Sequence, residues 1–126
     1  MRFPLLRPLL ALALLAASLP SLALDSNKWR LQCSGGANAD GVITLRITPK
    51  GGAPTEVAVA IKDRAGENAV ARAIRDALKA QVGDRYTAEI DDGEDVLVKK
   101  RGRQPDFELA VVSNTVKGVH VTRDRE

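Results

Sequence analysis

The sequence predicts an α+β fold: an antiparallel sheet of about six strands with one amphipathic helix packed on one face. Three observations predict it. Glu67 to Val82 carries apolar residues at helical spacing. Short runs that alternate apolar and polar residues lie on both sides of it. Clusters of Gly, Pro, Asn and Asp separate those runs.

The elements follow in order. Residues 1–23 read as a cleaved signal peptide rather than as part of the fold. Arg2 and Arg7 make a positive start, Leu9 to Leu19 is an apolar core, Pro20 breaks it, and Ser21-Leu22-Ala23 is a small-x-small cleavage site. The run is short for a membrane span, so no transmembrane segment is expected after cleavage. Cys33 follows Arg30-Leu31-Gln32 and does not fit a lipoprotein site. What remains, 24–126, is a 103-residue chain that reads as a single small α+β domain.

Trp29, Leu31 and Cys33 alternate with Arg30 and Gln32, a short strand with one apolar face. A Gly/Asn/Asp-rich loop follows. Ile43, Leu45 and Ile47 then alternate with Thr44, Arg46 and Thr48. Pro49 to Pro54 is a turn, and Val57, Val59 and Ile61 return as the second arm of a hairpin. In the helix, Val70, Ile74, Leu78 and Val82 form one row flanked by alanines, while Arg72, Arg75, Asp76 and Lys79 face away. Gly66 or Asn68 caps its start, and Gly83 is expected to close it in the left-handed conformation.

Tyr86, Ala88 and Ile90 begin the next strand. Asp92-Gly93 turns it into Val96 to Val98. Phe107, Leu109 and Val111 form a further inward row, Ser113 to Thr115 a loop, and Val119 and Val121 a last strand. Arg123 to Glu126 reads as a charged, frayed tail. Ala58, Ala60, Ala110 and Val112 fall on the face turned away from the core, which makes that face semi-apolar and the expected contact surface.

Composition excludes several function classes. The chain has 19 Lys and Arg against 16 Asp and Glu; losing Arg2 and Arg7 leaves 17 against 16. So small an excess gives little pull toward nucleic acid. Trp29, Tyr86 and Phe107 are the aromatics beyond the leader, too few for a base- or sugar-stacking platform. Phosphate-loop, dinucleotide and serine-hydrolase motifs are missing. No cofactor is expected.

Four groups of residues carry chemistry. Cys33, the single thiol, and His120, the single imidazole, are the ingredients of a thiol-dependent enzyme or redox protein. Their strand positions oppose it, placing Cys33 inward with Trp29 and Leu31, and His120 outward. Asp91, Asp92, Glu94 and Asp95 crowd one hairpin tip and offer oxygen ligands for calcium, though not at EF-hand spacing. Lys99, Lys100, Arg101 and Arg103 crowd the other end of the same strand as a polyanion-binding cluster. Those two clusters support an adhesion element as a further alternative. Together they make one hairpin acidic at its tip and basic at its base, a polarity that sets register with a partner.

The function expected from these readings is that of a non-catalytic interaction protein. It is exported to a bacterial periplasm or secreted, and it binds a protein partner or itself through a sheet edge or the semi-apolar face.

Overall fold

The computed structural model describes residues 24–126, so the signal-peptide reading of 1–23 lies outside the described residues. The order is β1 (Lys28–Gly35), β2 (Gly41–Pro49), β3 (Thr55–Ile61), α1 (Glu67–Val82), β4 (Tyr86–Asp91), β5 (Asp95–Lys100), β6 (Phe107–Asn114) and β7 (Val119–Arg125). The class is α+β, and every strand pair is antiparallel.

The strands form two sheets, where the sequence suggested one. A four-stranded sheet runs β4-β5-β1-β7 and a three-stranded sheet runs β3-β2-β6. Both expected hairpins, β2–β3 and β4–β5, are present. The difference lies in β1, which leaves its sequence neighbour β2 and pairs with β5 and β7 instead. The physical reason is coverage. One helix cannot shield the apolar faces of seven strands, so the two sheets shield each other.

Each strand contributes alternate residues to the shared core. Trp29, Leu31 and Cys33 come from β1, Val96 and Val98 from β5, and Tyr86 and Ala88 from β4. Ile43, Leu45 and Ile47 of β2 meet them with Val57, Val59 and Ile61 of β3 and Phe107 and Leu109 of β6. The helix adds Val70, Ala71, Ile74, Leu78 and Val82. It packs mainly on β4 and β3, one edge strand from each sheet, and so closes that side of the sandwich. Gln81 Nε2 donates to the Ala58 carbonyl at 3.1 Å, occupying an edge group of β3.

The helix ends differ from expectation. Gly66 is the N-cap in extended conformation and supplies no side-chain bond. Gly83 is right-handed, with φ −64°, rather than left-handed. A left-handed cap is not needed, because Arg101 Nε donates to the Gly83 carbonyl at 2.7 Å and Arg85 N–H to the Val82 carbonyl at 3.0 Å.

The opposite side is clasped by polar groups. Arg123 Nη1 donates to the Leu109 carbonyl at 2.7 Å and pairs with Glu108 at 3.2 Å, while Asn114 Nδ2 donates to the Val119 carbonyl at 2.8 Å. Ser26 and Phe107 exchange two backbone hydrogen bonds of 2.9 Å. The expected loop at Ser113–Thr115 begins later, since β6 runs through Asn114. The expected frayed tail is instead strand: β7 runs to Arg125, and the Glu126 carbonyl accepts from Ser26 Oγ at 3.0 Å. Arg123 explains the difference, because its guanidinium lies 5.0 Å over the Trp29 ring and anchors the tail to the core.

Trp29 links both sheets. Its indole Nε1 donates to the Phe107 carbonyl at 2.8 Å inside the core. Trp29→Phe removes that bond and leaves space behind. It is expected to lower unfolding free energy by about 2 kcal/mol, measured by urea denaturation.

Candidate functional site

Cys33 and His120 occupy opposite faces of one sheet. Cys33 pairs in register with Val121 and Ser34 with His120. Side chains alternate along a strand, so the thiol points into the core and the imidazole to solvent. Cys33 is 1% exposed. Burial, and then the negative charges of Asp95, Glu67 and Glu94, push its pKa up to about 12. At neutral pH it is therefore a protonated thiol, without the thiolate that nucleophilic or redox chemistry uses.

The four acidic residues divide between structure and solvent. Asp92 and Gly93 take left-handed φ values of 52° and 80° and form the hairpin turn. Asp91 and Asp95 pair across its base. Both turn to Arg30 of β1, whose Nη1 lies 2.9 Å from Asp91 Oδ2 and 2.8 Å from Asp95 Oδ2. Glu126 Oε2 reaches Arg30 Nε at 3.4 Å. These hydrogen bonds, first Asp91's and then those of Asp95 and Glu126, raise the Arg30 pKa above its ordinary value. Asp92 remains exposed and Glu94 half-buried. Among the described residues no three His, Cys, Asp or Glu side chains group as ligands for a metal ion. Arg30 occupies the place that a cation between Asp91 and Asp95 would take.

The basic residues are dispersed. Lys99 and Lys100 alternate across the sheet, Lys99 standing beside Lys28 and Thr87. Lys100 Nζ pairs with Asp106 at 2.9 Å, and Arg101 holds the end of α1. Arg103 sits exposed in the following turn. Two of the four cations are thus committed to intramolecular bonds, which weakens the cluster as one polyanion surface.

The outer face of the β3-β2-β6 sheet has a different character. Val42 stands beside Ala60, Thr44 beside Ala58, and Arg46 between Glu56 and Ala110. These positions point away from the core. Val42 is 40% exposed, one of only two large hydrophobics so exposed among the described residues, the other being Leu24. Arg46 and Glu56 form an exposed pair at 2.8 Å. At the other end Asp40, Val42, Ala60 and Lys62 border a shallow hollow. The Asp40 carboxylate is fixed there by the Asp63 N–H at 2.7 Å. The face is a strip of short side chains with the Arg46–Glu56 pair at one end and the unlike charges of Asp40 and Lys62 at the other. Such a strip can press against another flat protein surface.

The sequence located the alanines of this face but missed the charges at its two ends, because the Arg46–Glu56 pair and the placing of Asp40 and Lys62 on one hollow emerge only once the hairpin register is set. It also missed Arg30, whose partners lie far along the chain.

No protein-family model matches the chain, and no curated protein matches it.

Two expectations follow from this geometry. A thiol reagent should leave Cys33 unmodified in the native protein at neutral pH and modify it fully in denaturant. Its folded pKa lies above the ordinary value of 9.0. The folded form therefore keeps its proton longer than the unfolded chain, and stability is intact below about pH 9 and falls as pH rises toward 12. Cys33→Ala should flatten that alkaline decline in urea midpoint; burial also raises the Tyr86 pKa, which leaves a residual slope. Arg30→Met should lower the thermal midpoint more than Asp91→Asn does. Asp95 is 7% exposed, and its Oδ1 has no hydrogen-bond partner among the described residues, so Arg30 is its main compensation. Adding Asp95→Asn to Arg30→Met should recover part of the loss, measured by calorimetry.

Proposed function

We propose that the protein is an exported, non-catalytic interaction module of the bacterial cell envelope, acting in the periplasm or outside the cell. Its binding surface is the outer face of the β3-β2-β6 sheet, and its partner is a protein. The observation that carries this reading is the row of Val42, Thr44, Ala58 and Ala60, largely apolar and turned to solvent on one side of a hairpin whose other side is core. Export rests on the Arg2/Arg7, Leu9–Leu19 and Ser21-Leu22-Ala23 pattern.

Of the two docking modes expected, face contact is better supported than strand addition. The free side of β3 meets α1 and Gln81, and β6 and β7 are clasped by Arg123 and Asn114. A thiol-dependent enzyme or redox role has less support, since the Cys33 sulfur is buried, protonated and separated from His120 by the sheet. The adhesion alternative has less support, since Arg30 takes up Asp91 and Asp95, and Lys100 and Arg101 are held in intramolecular bonds.

The full-length gene, expressed in a bacterial host, should yield an envelope-fraction protein whose intact mass begins at Leu24. A mass that retains residues 1–23 would overturn the export part. Chemical cross-linking in that fraction tests the face. Ala58→Arg should keep stability within about 0.5 kcal/mol, because the site is exposed. It should reduce cross-linked species about tenfold or more, since it inserts a bulky charge into the strip. Unchanged cross-linking by Ala58→Arg would remove this face as the binding surface.

A further inference from the structure

We infer that the occupant of this face is a second copy of the same chain, packed face to face across a two-fold axis perpendicular to the strands. This rests on the interaction-module reading above and names its partner. The argument is the order of side chains along the β2–β3 hairpin. Ile43 and Val59 pair at its middle, with Val42–Ala60 and Thr44–Ala58 as the flanking pairs. One step further lie Arg46–Glu56 on one side and Asp40 and Lys62, just beyond the Gly41–Ile61 pair, on the other.

A two-fold axis at the level of Ile43 and Val59 exchanges these levels. It lays Val42 over Thr44 of the second copy and Ala60 over Ala58 of the second copy. It lays Arg46 over the second copy's Asp40, and Glu56 over the second copy's Lys62. Each end of the contact then holds two cations and two anions of alternating sign, attractive along every side of the square. Turning the second copy about an axis along the strands, midway between β2 and β3, would also oppose unlike charges, Arg46 over Glu56 and Asp40 over Lys62 of the second copy, but there a mixture of Glu56→Lys and Lys62→Glu keeps a like-charge contact at each end, so the mixing experiment below separates the two. The charge order makes the face self-complementary, as an isologous dimer requires. Aligned sheets with small facing side chains can stack in this way.

The contact is small. Three strands about 14 Å wide over a length of about 20 Å give about 300 Å² per copy, well below the roughly 800 Å² of a stable interface. The dimer is accordingly weak, with a dissociation constant of about 100 µM, and it forms where the protein is concentrated.

Sedimentation velocity over a concentration series tests this on protein purified from the full-length gene. Wild type should pass from monomer to dimer. Glu56→Lys alone and Lys62→Glu alone each place like charges at both ends of the contact and should weaken self-association about tenfold or more. Mixing the two variants places opposite charges at both ends, and a heterodimer close to wild-type affinity should return. Lys50→Glu, in the exposed turn, should change nothing. Both contact residues are exposed, and the Arg46–Glu56 pair that one substitution removes adds little stability, so each variant folds, as circular dichroism will register.

Strictly monomeric wild type up to about 1 mM would overturn the proposal, as would a dimer indifferent to the charge substitutions or a mixture that fails to recover. Monomeric protein together with Ala58-dependent cross-linking would overturn the second copy while leaving the interaction reading in place. A dimer that ignores both Ala58→Arg and the charge variants would remove the face from both.

Discussion

A helix of sixteen residues covers a strip about 24 Å long and 10 Å wide. Seven strands side by side would span about 34 Å. The apolar rows of Trp29, Ile43, Val57, Tyr86, Val96, Phe107 and Val119 therefore exceed what α1 can bury. The chain resolves this by placing two sheets face to face and using the helix to seal one open side. The crossing of β1 away from β2, the Trp29 bond to β6 and the Arg123 clasp all serve that closure. With a single cysteine and hence no internal disulfide, the shared core carries the stability of the fold.

The same closure divides the exterior into two unlike surfaces. The outside of the four-stranded sheet is polar and internally paired around Arg30, with Asp91, Asp95 and Glu126 drawn onto one guanidinium. Lys28 and Lys99 stand side by side on it as well. The outside of the three-stranded sheet is built from Val42, Thr44, Ala58 and Ala60, with charge confined to the ends. Charged groups must give up water on contact, whereas exposed apolar area removed from water is gained. That contrast singles out the second surface.

Much of the local structure was legible in the residues. The α1 limits, the Asp92-Gly93 turn, the inward Cys33 and the outward His120 all follow from spacing, because helical and extended backbones fix which side chains share a face. The misreadings share one origin. Gly83 was expected to be left-handed, yet Arg101 supplies the missing donor from the turn after β5. Arg123 to Glu126 looked like a solvated tail, yet Trp29, Glu108 and Arg30 lie within reach. Asp91 and Asp95 looked like cation ligands, yet the cation beside them is Arg30.

By itself, then, the order of residues determined the elements, their inward faces and the poverty of reactive groups. These properties depend on neighbours within a few positions, where backbone geometry alone decides. The tertiary structure decided that the sheet would be two sheets and which charges would neutralise one another. Those outcomes depend on pairs such as Arg30 with Asp95 and Trp29 with Phe107, far apart along the chain, which only competition among whole strands for buried area brings together.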